Sequence, residues 1–276
     1  MNILVNGLPG QMASLVAHRV VAEKGHMLVP YSFRGEGKSG EIRVNGCSVQ
    51  VLPAALREDV IERVYTLYTP LAAVDFTVPE AVERNVDFYC RRGIPFVLGT
   101  TGGDKEALEE RVRNSDVVAV IAPNMASPVV AFQAMMEYAA REFPGVLERY
   151  RLAVVESHQV AKKDTSGTAK AVVHSFNRLG IPFTEEQIGK VRTRARQLGM
   201  GIPEQALDGH GWHNYRACSP SGDVVMEFSH NVTGRDVYVE GTMRALRFLD
   251  ARVKAGEKGT VYSMIDVLKD GKSIRE

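Results

Sequence analysis

Apolar and polar positions alternate along the first half of the chain in a way that predicts strands and helices in turn. Short apolar runs have the composition of buried strands, and helical patterns separate most of them; the runs are residues 2–6, 26–33, 72–77, 94–98 and 117–121. Residues 41–52 alternate like one more strand, and residues 56–66 predict a helix. Strands separated by helices pair in parallel and are covered on both faces. The pattern therefore predicts an α/β fold, a Rossmann-like doubly wound parallel sheet, with a site at the carboxyl ends of its strands.

The pattern changes after residue 127. A long amphipathic helix is predicted over residues 127–143, and residues 184–209 are charged and weakly patterned. Antiparallel strands are predicted at residues 215–219, 224–230 and 237–239, followed by a helix over residues 241–253. We therefore predict two domains: a dinucleotide-binding domain over residues 1–126 and 241–276, and a smaller α+β substrate-binding and catalytic domain, with an antiparallel or mixed sheet, over residues 127–240.

Composition narrows the class of protein. The 276 residues carry a formal net charge of +1, which gives no reason to expect nucleic acid or an anionic membrane as a partner. The three cysteines are scattered, which argues against a disulfide framework and favours a reducing compartment. No apolar run approaches the roughly 20 residues that span a bilayer, and the chain begins in a predicted strand. We therefore expect a cytoplasmic protein, or a protein of the plastid stroma if a transit peptide has been removed.

The densest group of reactive side chains lies at residues 156–169, between a predicted strand and a predicted helix. His158 has an imidazole whose ordinary pKa lies near neutrality, so it can donate or accept a proton. Lys162 follows four residues later, as a proton donor or a fixed positive charge. The segment Ser166-Gly167-Thr168 has the composition of an N-cap and first helical turn, where backbone amides favour anions. These groups favour a small carboxylate or phosphate substrate; a capped helix preceded by solvated charges is the alternative.

The same segment resembles the signature of the dihydrodipicolinate reductase family, E-x-H-H-x-x-K-x-D-x-P-S-G-T-A. The matching positions are Glu156, His158, Lys162, Asp164, Ser166, Gly167, Thr168 and Ala169. Gln159 stands where the family has its second histidine, and the spacer before the serine is one residue shorter because it has no proline. Both departures are similar to the plant-type branch. The resemblance implies catalytic roles for His158 and Lys162, and substrate-binding roles for Gln159, Ser166, Gly167 and Thr168.

A glycine-rich turn follows the first predicted strand and precedes a predicted helix, which is the context of a dinucleotide-binding fingerprint. Gly7 allows the tight turn and Gly10 lets a pyrophosphate approach the helix, whereas Ala13 takes the place of the third glycine. The reductase family begins in a similar way, with G-x-x-G-x-M. This resemblance implies that Gln11 and Met12 also contact the cofactor. The alternative interpretation of the segment is an ordinary strand-to-helix turn that binds no cofactor.

The residues at the end of the second predicted strand bear on the choice between nicotinamide cofactors. Proteins that bind NAD carry an acidic residue there for the ribose, whereas this chain has Ser32 and Arg34, with Glu36 slightly later. A guanidinium can pair with the 2′-phosphate that only NADPH carries. We therefore predict NADPH as the cofactor, with NADH as the second candidate; a solvated arginine is the alternative interpretation.

Three later strand ends resemble the nicotinamide pocket of the same family. They carry the segments Asp-Phe-Thr, Gly-Thr-Thr-Gly and Ala-Pro-Asn-Met, each directly after a predicted strand. The resemblance implies that the pocket is lined by Phe76, Thr77, Gly99, Thr100, Thr101, Pro123, Asn124 and Met125. Three ordinary strand-to-loop turns are the alternative.

The resemblance covers nearly the whole chain and implies an NAD(P)H-dependent oxidoreductase of lysine and diaminopimelate biosynthesis. Such an enzyme transfers hydride to a cyclic unsaturated dicarboxylate, and we expect it to form a homo-oligomer, a dimer or a tetramer. His210, His213 and His230 with Cys218 fit no compact zinc pattern, so no metal site is predicted. Two alternatives remain open. The chain could reduce another cyclic imine or keto acid, because Gln159 replaces the second histidine of the family, or it could be a non-catalytic cofactor-sensing homologue.

Overall fold

The computed structural model describes residues 1–35 and 37–271. Glu36, near the predicted ribose-binding residues, and residues 272–276, the end of the predicted first domain, lie outside the described residues. The chain divides into two compact units, one formed by Met1–Ser127 with Tyr238–Glu276 and the other by Pro128–Val237. Across the described ranges, no helix combines the length and the apolar character needed to cross a membrane.

The strands and helices are numbered in chain order. The strands are β1 (Asn2–Asn6), β2 (Met27–Leu28), β3 (Tyr31–Arg34), β4 (Gly40–Val44), β5 (Cys47–Pro53), β6 (Leu71–Asp75), β7 (Phe96–Leu98), β8 (Val118–Ile121), β9 (Arg151–His158), β10 (Gly189–Val191), β11 (His210–Cys218), β12 (Val225–Thr233) and β13 (Thr260–Tyr262). The α-helices are α1 (Gln11–Ala22), α2 (Arg57–Tyr68), α3 (Val82–Arg91), α4 (Lys105–Arg113), α5 (Ser127–Glu142), α6 (Gly167–Arg178), α7 (Arg194–Gly199), α8 (Asp236–Lys254) and α9 (Met264–Lys269).

The first unit is built on a six-stranded sheet in which all neighbouring strands are parallel. Its spatial order is β13-β8-β7-β6-β1-β2. The chain thus moves outward from β1 to β2 on one side, and from β6 to β13 on the other. The apolar residues of β1 and β6–β8 are almost wholly buried, as expected for strands covered by helices on both faces. The predicted doubly wound parallel sheet is confirmed.

Helix α3 shows how a helix of this unit is held against the sheet. A single 3₁₀ turn, Pro79–Ala81, leads into it, and Pro79 provides the fixed φ that favours a helix start. Its buried stripe carries Val82, Val86 and Tyr89 at spacings of three and four residues. Full burial of an apolar side chain of this size stabilises the fold by about 1.5–3 kcal/mol. The same stripe also carries a polar side chain, Asn85, to the carboxyl end of the sheet.

Two strand predictions in the first unit are wrong in detail. The run 26–33 forms two strands that belong to different sheets, because Pro30 has no N–H with which to continue a ladder and the chain turns away there. The run 41–52 is a hairpin of β4 and β5, and β3 pairs with β5 in a separate three-stranded sheet. Asn45 and Gly46 form its turn with φ of 45° and 86°, a conformation that Asn-Gly adopts readily.

The second unit carries a four-stranded mixed sheet in the order β10-β9-β11-β12. Strand β11 is antiparallel to both of its neighbours, β9 and β12, whereas β10 pairs in parallel with β9. Helix α6 and Tyr215 contribute to the apolar core of this unit, in which Phe176 is fully buried. The predicted smaller α+β part with a mixed sheet is therefore present.

Three features of the second half differ from prediction. Residues 237–239 belong to helix α8 and do not form a strand, because Val239, Met243 and Leu246 share one buried helical stripe. Strand β9 is longer than the predicted run and includes His158. Strand β10 and helix α7 lie in the weakly patterned segment 184–209, for which neither was predicted. The longer β9 carries His158, and the pairing of β10 with β9 brings a further residue to the reactive cluster.

Candidate active site

Strand β9 places Glu156 and His158 on the same face, since alternate residues of a strand share a face. The carboxylate of Glu156 is fully buried. Its Oε1 pairs with Nη2 of Arg192, and its Oε2 accepts a hydrogen bond of 3.0 Å from the backbone N–H of Ser166. Glu156 therefore ties the end of β10 and the start of α6 to the strand that carries His158.

Arg192 holds the loop that follows β9. Besides Glu156, its guanidinium donates to the carbonyl oxygens of Lys162 at 2.8 Å and Asp164 at 3.3 Å. Three attachments from one planar group fix the path of the loop more firmly than a lysine at the same place would. Sequence reasoning missed Arg192, because only the parallel pairing of β10 with β9 brings it to this loop.

His158 faces a second histidine, His213, across the β9–β11 pair. Their Nε2 atoms lie 3.3 Å apart, and the ring centroids are 5.0 Å apart at an interplanar angle of 73°. Gly211 lies opposite His158 in the register, and a Cβ at that position would come within 3.1 Å of the His158 ring. The absence of a side chain at Gly211 therefore leaves room for the imidazole. His213 was considered from the sequence only as a metal ligand and was set aside.

Burial and positive charge keep these imidazoles neutral. Desolvation, followed by the charges of Arg192 and Lys162, lowers the pKa of His158 to about 4. Desolvation, followed by His230 and His158, lowers the pKa of His213 to about 2. In the free chain at pH 7 both rings are therefore neutral, and each has one N–H and one nitrogen with a lone pair.

Lys162 and Gln159 lie in the loop between β9 and α6. The ammonium of Lys162 donates to Asp164 at 2.7 Å, and this contact lowers the pKa of the Asp164 carboxyl. The carbonyl oxygen of Gln159 accepts from the Lys162 backbone N–H at 3.0 Å. The predicted catalytic lysine thus lies in the turn next to His158, and its positive charge acts on the imidazole.

The N-terminus of α6 has the properties of an anion site. Ser166 is its N-cap, and within the described residues its hydroxyl makes no capping hydrogen bond. The first turn has no acidic residue, and no described atom lies within 4 Å of a Cβ built on Gly167. Backbone amides at a helix start point away from the helix, where they favour an anion. A carboxylate would therefore find both space and partial positive charge at Gly167.

In the first unit, the glycine-rich turn fits a dinucleotide phosphate. Gly7 has a φ of +102°, and a Cβ there would lie 2.3 Å from the carbonyl oxygen of Phe76. A Cβ on Gly10 would lie 2.8 Å from the carbonyl oxygen of Gly7, so both positions require glycine. Helix α1 begins directly after Gly10 with exposed Gln11, half-buried Met12 and no acidic residue in its first turn. This cradle is compatible with a pyrophosphate at a helix N-terminus.

A buried carboxylate, Asp75, organises the ends of strands β6 and β7. Its Oδ1 accepts from the N–H and hydroxyl of Thr77 at 2.9 and 2.6 Å, and from the Thr100 hydroxyl at 3.2 Å. Its Oδ2 accepts from Asn85 Nδ2 at 2.9 Å and from the Tyr89 hydroxyl at 2.7 Å. Burial, and then the charge of Asp75, raises the pKa of Tyr89, which remains a donor. Asp75 therefore fixes two of the predicted pocket residues, Thr77 and Thr100.

Replacing Asp75 by asparagine should lower the free energy of unfolding by about 1–3 kcal/mol, the usual cost of leaving buried polar groups unpaired. Thr77 N–H donates to one oxygen of Asp75 and Asn85 Nδ2 donates to the other. In asparagine one of these oxygens becomes an NH₂ group, so in either orientation of the amide one of the two donors faces another donor. Urea unfolding measures the effect, with exposed Asp116→Asn as the control. An equal midpoint for Asp75→Asn and wild type would mean that the network does not stabilise the fold.

The remaining predicted pocket residues lie at the same carboxyl edge of the six-stranded sheet. The ring of Phe76 packs on Gly99, where a Cβ would come within 2.3 Å of it. Asn124 accepts from the Ala126 N–H at 2.9 Å through its side-chain oxygen. The other positions differ in exposure: Thr101 and Pro123 are exposed, whereas Met125 is buried. The structure thus brings these strand ends together.

Ser32 and Arg34 lie on β3, beside the glycine-rich turn. Ser32 is fully buried, and its hydroxyl oxygen accepts from the Leu8 N–H at 3.3 Å, so this side chain supports the turn. Arg34 donates from Nη2 to the Lys38 carbonyl oxygen at 2.6 Å. Its buried Nε has no hydrogen-bond partner among the described residues. An unpaired buried donor is rare in a folded protein, and an oxygen of a bound phosphate would satisfy it.

Of the histidines considered as metal ligands, His210 has other partners. His210 contacts the Ser157 hydroxyl with Nε2 at 2.9 Å, and its Nδ1 lies 3.1 Å from the Leu207 carbonyl oxygen. In the part of the chain that the structure describes, the possible ligand atoms within 4.8 Å of one another are those of Glu156, His158 and His213. We assign no metal to them, because the guanidinium of Arg192 already pairs with the carboxylate and opposes a cation.

Both halves of the chain match descriptions of a known family. "Dihydrodipicolinate reductase, N-terminus" matches residues 1–125, and "Dihydrodipicolinate reductase, C-terminus" matches residues 128–268. The chain is 42% identical over 271 residues to "Probable 4-hydroxy-tetrahydrodipicolinate reductase 2, chloroplastic" of Oryza sativa subsp. japonica, covering 98% of this chain and 83% of that one. It is 42% identical over 272 residues to "4-hydroxy-tetrahydrodipicolinate reductase 1, chloroplastic" of Arabidopsis thaliana. That match covers 98% of this chain and 78% of the Arabidopsis chain.

A solved structure shares the fold. It is the dipicolinate-bound dihydrodipicolinate reductase from Paenisporosarcina sp. TG-14, with a TM-score of 0.63. The match covers 96% of this chain and 98% of that chain at 19% sequence identity. At this level of identity the likeness concerns the course of the backbone.

Proposed function

We infer that this chain, which belongs to the dihydrodipicolinate reductase family, is a 4-hydroxy-tetrahydrodipicolinate reductase of lysine biosynthesis. It is a nicotinamide-dependent oxidoreductase that acts on a cyclic dicarboxylate. One observation assigns this function to particular side chains: His158 is largely buried, and the positive charges of Arg192 and Lys162 act on its imidazole. That arrangement offers a proton-carrying group beside an anion site.

The first unit is the proposed binding region for the cofactor, which supplies the hydride when it is bound. Gly7 and Gly10 keep the backbone accessible at the start of α1, and Asp75 holds the neighbouring loops in place. The residues proposed to contact the cofactor are those predicted from the sequence: Gly7, Gly10, Gln11, Met12, Ser32, Arg34, Phe76, Thr77, Gly99, Thr100, Thr101, Pro123, Asn124 and Met125. Of these, Ser32 would act through the turn, since its side chain is fully buried.

The second unit is the proposed substrate-binding region. One carboxylate of the substrate would bind at the segment Ser166-Gly167-Thr168, to the amides of Gly167 and Thr168, where the charge of the helix start favours it. Lys162 would bind the other carboxylate or neutralise it, and Gln159 lies in the same loop. Because Glu156 accepts the Ser166 N–H, the position of this anion site is fixed relative to His158.

His158 is the proposed proton donor. Reduction of one double bond adds a hydride to one atom and a proton to its neighbour, so the site must deliver a proton. The pKa of about 4 in the free chain leaves little imidazolium at pH 7. A bound dicarboxylate brings negative charge beside the ring, which raises the pKa of the imidazole and favours its protonated form.

Arg34 is proposed to select NADPH. Replacing it by alanine should raise KM for NADPH by roughly 10–100-fold, the equivalent of a charge-assisted contact of about 1.5–3 kcal/mol. KM for NADH should stay within about twofold, because NADH has no 2′-phosphate. Steady-state kinetics with both cofactors checks this, with Arg43→Ala, an exposed arginine of β4, as the control. Equal losses with the two cofactors would show that Arg34 does not contact that phosphate.

A coupled assay tests the function itself. Aspartate semialdehyde and pyruvate are supplied through the preceding synthase, and the absorbance of NADPH is followed after the chain is added. The expected result is cofactor oxidation that depends on the synthase, both substrates and this chain. If neither NADPH nor NADH is oxidised above background, the proposed function is wrong. The chain would then be assigned as a reductase of another cyclic imine.

A further inference from the structure

Tyr89 on α3 has a buried hydroxyl with no role in the function described above. The side chain is 1% exposed, so it does not reach a bound cofactor or substrate. Its ring packs on the rings of Phe88 and Phe96, with centroids 5.9 and 5.1 Å away. A hydroxyl in such apolar surroundings costs free energy unless it finds hydrogen-bond partners. The partners of this hydroxyl therefore indicate its role.

The Tyr89 hydroxyl joins two polar side chains that are far apart along the chain. It accepts a hydrogen bond of 2.7 Å from Asn6 Nδ2, and it donates one of 2.7 Å to Asp75 Oδ2. Asn6 is 2% exposed and Asp75 is fully buried. Buried hydrogen bonds of this kind are costly to break, because water does not replace the missing partner. The three side chains therefore form one continuous link inside the first unit.

The Asn6 end of this link holds strand β3. Asn6 Oδ1 accepts from the Phe33 backbone N–H at 2.8 Å, and the Phe33 carbonyl oxygen accepts from the Gly7 N–H at 2.9 Å. Strand β3 belongs to the separate three-stranded sheet, so these contacts with the end of β1 tie it to the six-stranded sheet. Arg34, the residue proposed to bind the 2′-phosphate, follows Phe33 directly. The Asn6 end of the link therefore helps to place Arg34.

The Asp75 end of the link holds the loops proposed to line the nicotinamide pocket. Asp75 Oδ1 accepts from the hydroxyls of Thr77 and Thr100, and Oδ2 accepts from Asn85 and Tyr89. All of these groups donate, which suits a carboxylate that only accepts. Without the Tyr89 hydroxyl, a single hydrogen bond from Asn85 would remain at Oδ2. The carboxylate and the two loops bonded to its other oxygen would then be held less firmly.

We propose that Tyr89 is a positioning residue for the cofactor: its hydroxyl keeps strand β3 and the loops after β6 and β7 at a fixed spacing, so that both ends of one dinucleotide meet their contacts together. A site that is already arranged loses less conformational freedom on binding, which raises affinity. This gain applies to a ligand that spans both ends of the site and not to a ligand that occupies one end. The proposal rests on the proposed function, since it takes a nicotinamide dinucleotide as the ligand of the first unit.

The test is Tyr89→Phe, which removes the hydroxyl and keeps the ring. Isothermal titration calorimetry measures the Kd of NADPH and that of adenosine 2′,5′-bisphosphate, a fragment that carries the 2′-phosphate and lacks the nicotinamide half. The Kd of NADPH should rise by about fivefold or more, which is about 1 kcal/mol, and that of the fragment by less than about twofold. A general loss of folded protein would weaken both ligands alike, so the ratio of the two constants is the decisive measurement.

Tyr262→Phe is the matched control. Tyr262 lies on β13 in the same unit, and its hydroxyl also donates to a carboxylate, that of Glu257. The variant therefore loses the same kind of hydrogen bond without touching the link through Tyr89. Both of its dissociation constants should stay within about twofold of the wild-type values.

A crystal structure of the wild-type chain with NADPH gives a measurement that needs no folded variant. We expect the 2′-phosphate at Arg34 and the nicotinamide ring at the loops after β6 and β7. The Tyr89 hydroxyl should be hydrogen-bonded to Asn6 and to Asp75 in that complex.

Two results would overturn the proposal: a Tyr89→Phe variant in which the Kd of NADPH changes no more than that of the fragment, or a complex in which the Tyr89 hydroxyl has left either partner. Either can occur while the wild-type chain reduces its substrate in the coupled assay. An inactive wild-type chain would instead contradict the proposed function, so the two failures are distinguishable.

Discussion

Replacing His158 by glutamine should lower kcat by roughly 10²–10⁴-fold, the usual contribution of a general acid. KM should change far less, because the imidazole acts mainly in the transition state and the carboxylates of the substrate bind elsewhere. Glutamine keeps a polar side chain of similar length beside Gly211, so the packing of β9 against β11 should survive. Steady-state kinetics over a range of substrate concentrations measures both constants.

His174→Gln provides the control for this substitution. His174 lies on α6 in the same unit but is exposed. Its replacement should leave both constants within about twofold. A His158→Gln variant with nearly normal kcat would mean that the histidine is structural and that the proton comes from another group.

Replacing Gly167 by valine should raise KM for the substrate by roughly 10–100-fold, which corresponds to the loss of one charge-assisted contact of about 1.5–3 kcal/mol. The structure has open space where a side chain at this position would begin, so the Cβ of the valine meets no described atom within 4 Å. It would instead fill the approach to the amides of the first turn. Affinity for NADPH should stay within about twofold, because the glycine-rich turn lies in the other unit.

Gly199→Val is a suitable control for this second substitution. Gly199 ends α7, and a Cβ there also meets no described atom within 4 Å. Its KM should remain near that of the wild type. A Gly167→Val variant that loses substrate and cofactor affinity together would indicate misfolding and would leave the anion site without support.

The reactive segment could be predicted from the sequence because its parts are close along the chain. His158, Lys162 and the helix start at Gly167 all lie within one strand-to-helix connection, and the period of each element places them. Arg192 and His213 could not be found in this way. They reach the segment through the pairing of β9 with β10 and β11, and a single sequence does not give the register of strands that are far apart.

Two features of the structure had signals in the sequence that the predictions did not use. Asn45-Gly46 within an alternating run is typical of a two-residue hairpin turn, and it marks the break between β4 and β5. Asn85 and Tyr89 are polar groups four residues apart on the buried stripe of α3, a spacing that places them side by side. That they converge on Asp75 depends on how α3 packs on the sheet. The buried network behind the predicted cofactor loops therefore required the structure.

The most direct test of the account is a crystal structure of this chain with pyridine-2,6-dicarboxylate, a planar analogue of the cyclic substrate. We expect one carboxylate at the backbone amides of Gly167 and Thr168, with the ring of the ligand beside His158 and Lys162. A ligand bound away from residues 166–168, with His158 out of its reach, would contradict the account.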